Sequence, residues 1–185
     1  MSQAPRKSLP KPILKMAGFG LIMSLVGTIV VIIVMGSFSK PELELKVTPD
    51  YTFAYIDHVG PYNKVDGLID TLREELKNSN LTMVDAAVLY LDDASEVKLE
   101  NQRSKVGFIV ARNAVIPGKF ESMIIKSQEA LVATFHGGSM MGSYKSYAAM
   151  QEWAALRNKK LSLPALEIYH GKSSIEYHMA LVAKK

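Results

Sequence analysis

Tyr51–Leu76 reads YTFAYIDHVGPYNKVDGLIDTLREEL, and this run decides the fold. Tyr51, Phe53 and Tyr55 alternate with smaller residues, the period-2 pattern of a half-buried strand. Gly60-Pro61 ends that pattern, because glycine tolerates unusual φ and proline withholds an N–H. Val65, Leu68, Ile69, Leu72 and Leu76 then recur at helical spacing, with Asp70, Arg73 and Glu74 elsewhere on the wheel. The stretch is a strand, a turn and an amphipathic helix, and the chain contains it twice.

The second copy lies 78 residues on, where His136-Gly137-Gly138 matches His58-Val59-Gly60. Tyr147, Met150 and Ala154 then stand for Ile69, Leu72 and Leu76. With one residue inserted, Leu166-Glu167-Ile168-Tyr169 aligns with Ala87-Val88-Leu89-Tyr90. Two copies do not make a solenoid, which needs at least about three repeats. They predict one α+β domain, a duplicated β-α-β-β with pseudo-two-fold symmetry, its antiparallel sheet carrying two helices. The halves are expected over Tyr51–Arg112 and Met123–Val182. Strands are expected at Ala86–Asp92, Lys105–Arg112, Glu129–His136, Leu166–His170 and Ser174–Val182, and the second helix at Gly142–Asn158.

Outward from this core, composition sets bounds. The chain has 185 residues, 48% hydrophobic and 22% charged, which fits one domain plus an apolar segment. All 18 acidic residues lie beyond Lys40, and the net charge of +4 resides on Arg6, Lys7, Lys11 and Lys15. The body is therefore neutral and bears no nucleic-acid footprint. Without cysteine there is no disulfide framework, thiol catalysis or Cys-based metal site. Met16–Ser39 is 24 residues without a charge, against the roughly 20 that a spanning helix needs. The basic residues precede it, so the positive-inside rule puts the N-terminus in the cytoplasm and the body outside. The expected organisation is a basic tail over 1–15, a transmembrane helix over 16–39, a polar linker over 40–48 and the folded domain over 49–185.

Several motifs together resemble one family. VGPY at 59–62, Asp92-Asp93 at a strand end, a second His-Gly before a helix bearing Trp153, and PALEIY at 164–169 look like the GyrI-like domain. That is the small-molecule or effector-binding domain of multidrug-sensing transcription regulators, in the superfamily of the SOUL haem-binding proteins. The chain departs from the pattern at Gly138-Ser139-Met140, where the family often repeats Gly-Pro-Tyr. An apolar segment also stands in place of a DNA-binding headpiece. The resemblance implies a ligand pocket in which Glu167 is the charged group.

Read from the residues, Glu167 shares a strand face with Tyr169, and its counterpart in the first half is the apolar Val88. A carboxylate on an interior face must be paired or solvated, because an isolated buried charge is very costly. One carboxylate among tyrosines and a tryptophan suits an aromatic or cationic ligand, through stacking, cation–π contact and ion pairing. The expected lining is Glu167, Tyr169, Trp153, Tyr147, Tyr90 and Tyr62. His58 and His136 lack a third ligand at metal spacing, so no metal and no cofactor is expected. The reading is a membrane-anchored small-molecule-binding protein without nucleic acid as a partner. A hydrolase of reactive small molecules using Glu167, and a protein-interaction module, are the alternatives.

Overall fold

The computed structural model describes residues 11–34, 39–76, 81–171 and 173–184. Helix α1 (Lys11–Val34) is followed by β1 (Glu42–Val47), β2 (Tyr51–Val59), α2 (Val65–Leu76), β3 (Met83–Tyr90) and β4 (Arg103–Val110). Then come β5 (Glu121–Ile125), β6 (Glu129–His136), α3 (Ser139–Ala155), β7 (Lys159–His170) and β8 (Ser174–Ala183). The eight strands form one antiparallel sheet in the order β1-β6-β8-β7-β3-β4-β2-β5. The expected duplication is present, since β2-α2-β3-β4 and β6-α3-β7-β8 occupy mirror places about the β3–β7 seam.

Helix α3 sits three residues earlier than the expected Gly142–Asn158, β7 begins at Lys159 rather than Leu166, and two strands are additional to expectation. Residues 40–48, expected as a linker, contain β1, which pairs with β6 from Glu42↔Thr134 to Val47↔Glu129. Strand β5, which was not expected, pairs with β2 from Tyr51↔Ile125 to Tyr55↔Glu121. Each half thus begins with a strand that leaves it and borders the other half.

This exchange bends the sheet. From Val47 to Tyr51 the chain takes four steps, a reach of about 14 Å at most. Yet β1 and β2 are six strand spacings apart, about 29 Å if the sheet were flat. The same holds for β5 and β6. Only a strongly curled sheet satisfies both connections, and the two connectors meet, with Thr48 N–H donating to the Gln128 carbonyl at 2.9 Å. The curl closes toward the face without helices, where the rings of Tyr51 (β2) and His178 (β8) lie 6.1 Å apart across three intervening strands. Phe53, Leu89, Ile109, Leu166 and Ile168 fill this inner face. Gly107 permits the tight approach of β4 to β2, since a Cβ there would strike the Ala54 carbonyl and lie 2.7 Å from Tyr55 Cα.

The helices cover the outer, convex face. Val65, Ile69, Leu72 and Leu76 of α2 are buried, as the spacing predicts. On α3, Met150 and Ala154 are buried in the matching places. Helix α2 packs on β4 and α3 on β6, β7 and β8, so each helix covers its own half, and the interhelical groove is the strip above the seam between them.

The described side chains of α1, Phe19 and those from Leu21 to Val31, are exposed. Over the residues whose side chains are described, no helix is long and apolar enough to cross a membrane. The expected span 16–39 runs on through 35–38, which lie outside the described residues.

Candidate functional site

The seam places Glu167 by register. In the β3–β7 ladder Val88 faces Glu167, while Ala86 faces Tyr169 and Tyr90 faces Ala165. Val88 and Glu167 are therefore symmetry mates lying side by side on the pseudo-two-fold axis. Tyr90 and Tyr169 are mates too, one on each side of it. All four side chains point to the helix-bearing face, at the floor of the groove.

Glu167 is 2% exposed, and its carboxylate is held by phenols alone. Tyr147 Oη, from α3, donates to Oε1 at 2.8 Å, and Tyr169 Oη donates to Oε2 at 2.8 Å. Among the described residues no lysine, arginine or histidine forms an ion pair with it. Burial pushes the carboxyl up from 4.5 to about 7, against the opposite pull of the two phenol hydrogen bonds, with the charge of Asp66 adding to the rise. Burial likewise raises Tyr90, Tyr147 and Tyr169 well above the ordinary phenol value, and the nearby Glu167 charge adds to it. These three phenols are half-buried, so they form walls over a carboxylate that is itself sealed.

The groove is symmetric in backbone and one-sided in chemistry. Glu167, Tyr147 and the fully buried Tyr177 lie in the second half; their counterparts are Val88, Ile69 and Val106. Val106 faces Val88 on β4 as Tyr177 faces Glu167 on β8. Tyr147 and Tyr177 pack edge to face, with ring centroids 5.5 Å apart. Gly142 makes room for Tyr177, because a Cβ there would meet its hydroxyl and lie 2.9 Å from Phe135 Cδ1.

Of the six expected residues, the structure brings Glu167, Tyr169, Tyr147 and Tyr90 together. Tyr62 joins them at the edge, its ring 4.6 Å from that of Tyr90. Its hydroxyl is engaged with backbone, donating toward the Arg103 carbonyl at 2.9 Å and accepting from Asp92 N–H at 3.2 Å. Trp153 lies further along α3, packed against the same core cluster as Tyr147 and Tyr169, with the Arg157 guanidinium over its ring at 3.9 Å. Two participants escaped the sequence reading. Tyr177 reaches the site only through the β7–β8 register, and Asp66 through the fold of α2, where it accepts a hydrogen bond from Ser139 Oγ at 2.7 Å. That bond joins the first turns of the two helices. Their residue types alone, a strand tyrosine and a helix-start aspartate, carried no signal.

Two surface depressions lie elsewhere, about 140 Å³ beside Tyr51 and Arg112 and about 610 Å³ beside Leu81 and Val115. Neither has a buried charged group in its lining, so the chemistry favours the groove over Glu167. Among the described residues, no cluster of three or more His, Asp or Glu is arranged to hold a metal ion.

Residues 41–178 match the family model of the GyrI-like small molecule binding domain. No curated protein matches the chain at a significant level. Among solved structures, the C-terminal domain of EcmrR superposes with a TM-score of 0.63 at 18% identity, covering 77% of this chain and 98% of that one. The longer EcmrR chain, in a complex with DNA, covers 94% of this chain and 68% of its own at 17% identity and a TM-score of 0.63. SAV2435 bound to tetraphenylphosphonium superposes with a TM-score of 0.54 at 14% identity, covering 76% of this chain and 94% of that one. At such identities these likenesses speak to the fold alone.

Proposed function

The chain belongs to the GyrI-like small-molecule-binding domain family, and from that premise we propose that it binds a lipophilic cation in the groove above Glu167. One observation carries this reading, a sealed carboxylate with no basic partner among the described residues, under a ring of half-buried phenols. A cation supplies the missing charge, and the phenol faces attract it through their ring quadrupoles. The fold shared with SAV2435, which was solved with tetraphenylphosphonium, makes that cation the natural probe.

The test is calorimetric titration of tetraphenylphosphonium, and of the neutral triphenylphosphine oxide, into the full-length protein in detergent. The cation should bind more tightly. Glu167→Gln keeps the shape and removes a charge-assisted contact worth about 1.5–3 kcal/mol, so cation affinity should fall roughly tenfold to a hundredfold. Equal affinities for both compounds in both proteins would overturn the reading.

The same proposal includes a membrane tether over 16–39, with the N-terminus cytoplasmic and the ligand domain outside. It is supported by the uncharged run and by the four basic residues that precede it. Protease added to spheroplasts should then digest the domain without lysis. A domain cut only after lysis would reverse the orientation, and one that washes off the membrane at high pH would remove the tether.

A further inference from the structure

Five elements press charged or titratable groups on Glu167, and none of those groups is basic. They are Tyr147 from α3, Tyr169 beside it on β7, Tyr90 from β3, Tyr177 from β8 and Asp66 from α2. Without a ligand the carboxylate thus has no counter-ion among the described residues, and its burial keeps it from bulk water. The remaining way to neutralise it is a proton. The phenols can hold either form, because a hydroxyl both donates and accepts. An O–H···O distance of 2.8 Å at each oxygen fits a phenol donating to carboxylate and equally a carboxylic acid donating to phenol. No heavy atom has to move for the proton to be accommodated, because only a phenol hydrogen turns.

We propose that the groove exchanges a proton for its cation: Glu167 carboxylic acid releases H⁺ to solvent as the cation binds, and the carboxylate that remains forms the ion pair. This rests on the reading that the groove takes a cation. Charge balances, since one positive charge leaves as one enters, and the buried site is neutral in both states. The carboxyl held up to about 7 makes the exchange effective near neutrality. Occupancy then depends on pH as well as on ligand concentration.

By linkage, apparent affinity should rise about tenfold from pH 6 to pH 8 and level off above that. The test is titration of tetraphenylphosphonium into the full-length protein, repeated in two buffers of different ionisation enthalpy. Close to one proton should be released per cation at pH 6, and almost none at pH 8.5. Glu167→Gln should bind with pH-independent affinity and no proton release. Infrared difference spectra of the wild type serve should that variant fail to fold, and the protonated-carboxyl band should disappear when the cation is added at pH 6. Binding with neither proton release nor loss of that band would overturn the exchange while leaving the cation site standing. A pH dependence that persists in Glu167→Gln would also overturn it, by assigning the proton to another group. No binding at any pH would remove the cation reading itself.

Discussion

At the scale of single residues, Glu167 is a destabilising group kept inside the fold. Its carboxyl is raised from 4.5 to about 7, chiefly by burial. Below pH 4.5 it is neutral folded and unfolded, and the fold loses nothing. Between pH 4.5 and 7 the unfolded chain ionises while the fold stays protonated, so stability falls as pH rises. The cost levels off above pH 7, on the order of 3 kcal/mol. Glu167→Gln removes this dependence. In urea unfolding, the variant should gain on the wild type by that order between pH 4.5 and pH 8. A difference that does not change with pH would mean that the carboxylate is better solvated than its burial indicates. Glu167 stood out in the sequence mostly through the PALEIY resemblance, with its strand position and the apolar Val88 at the duplicated site as support. Trp153 packs against the same core cluster as Tyr147 and Tyr169 and carries the Arg157 guanidinium over its ring, an arrangement that a lone tryptophan in the sequence does not announce.

At the scale of elements, the apolar stripe of α2 was the strongest signal, and its reading transfers to α3 through the repeat. Leu72 is 3% exposed and Met150 is 0% exposed, in equivalent places. Leu72→Ala should destabilise the fold by about 2–5 kcal/mol, the cost of removing a buried aliphatic group and leaving a cavity. Chemical denaturation measures it, and a loss below about 0.5 kcal/mol, the scale of surface changes, would show that the stripe is not core. The edge strands were harder to see. Strand β1, ELELKV, carries charges on one face and is short, so it reads as a polar linker until its partner β6 is known. A clue was present, since the 78-residue offset carries 42–47 onto 120–125 and so onto β5. The chemistry of the two edge strands had diverged too far for the offset to show.

At the scale of the whole molecule, the exchange of β1 and β5 makes the two halves one folding unit. Sequence periodicity reports pairing within each half, and the repeat reports that there are two. Neither states which edge a strand joins. That is decided by the short connectors, which cannot reach except across the mouth of a curled sheet. Lys46 of β1 adds an ion pair to Glu176 of β8 at 3.4 Å, which ties the exchanged strand to the second half. Cut between Pro117 and Gly118, each fragment would keep its sheet-covering helix, α2 or α3, and three paired strands, the first fragment also carrying α1. The first strand of each would be unpaired, and Val88 or Glu167 would be opened to solvent along the seam. The inner face, buried only because the sheet curls over it, would be uncovered in both. The expected outcome is that neither fragment gives a cooperative thermal transition alone. Mixing them should restore the circular dichroism spectrum, together with slow hydrogen exchange at the β3–β7 amides. The pairing of β1 with β6 makes this recovery depend on the first fragment's residues 42–47, so a first fragment lacking them should complement poorly. If the first fragment melts cooperatively by itself, the halves are independent domains that merely adjoin, and the strand exchange is decoration rather than the basis of the fold.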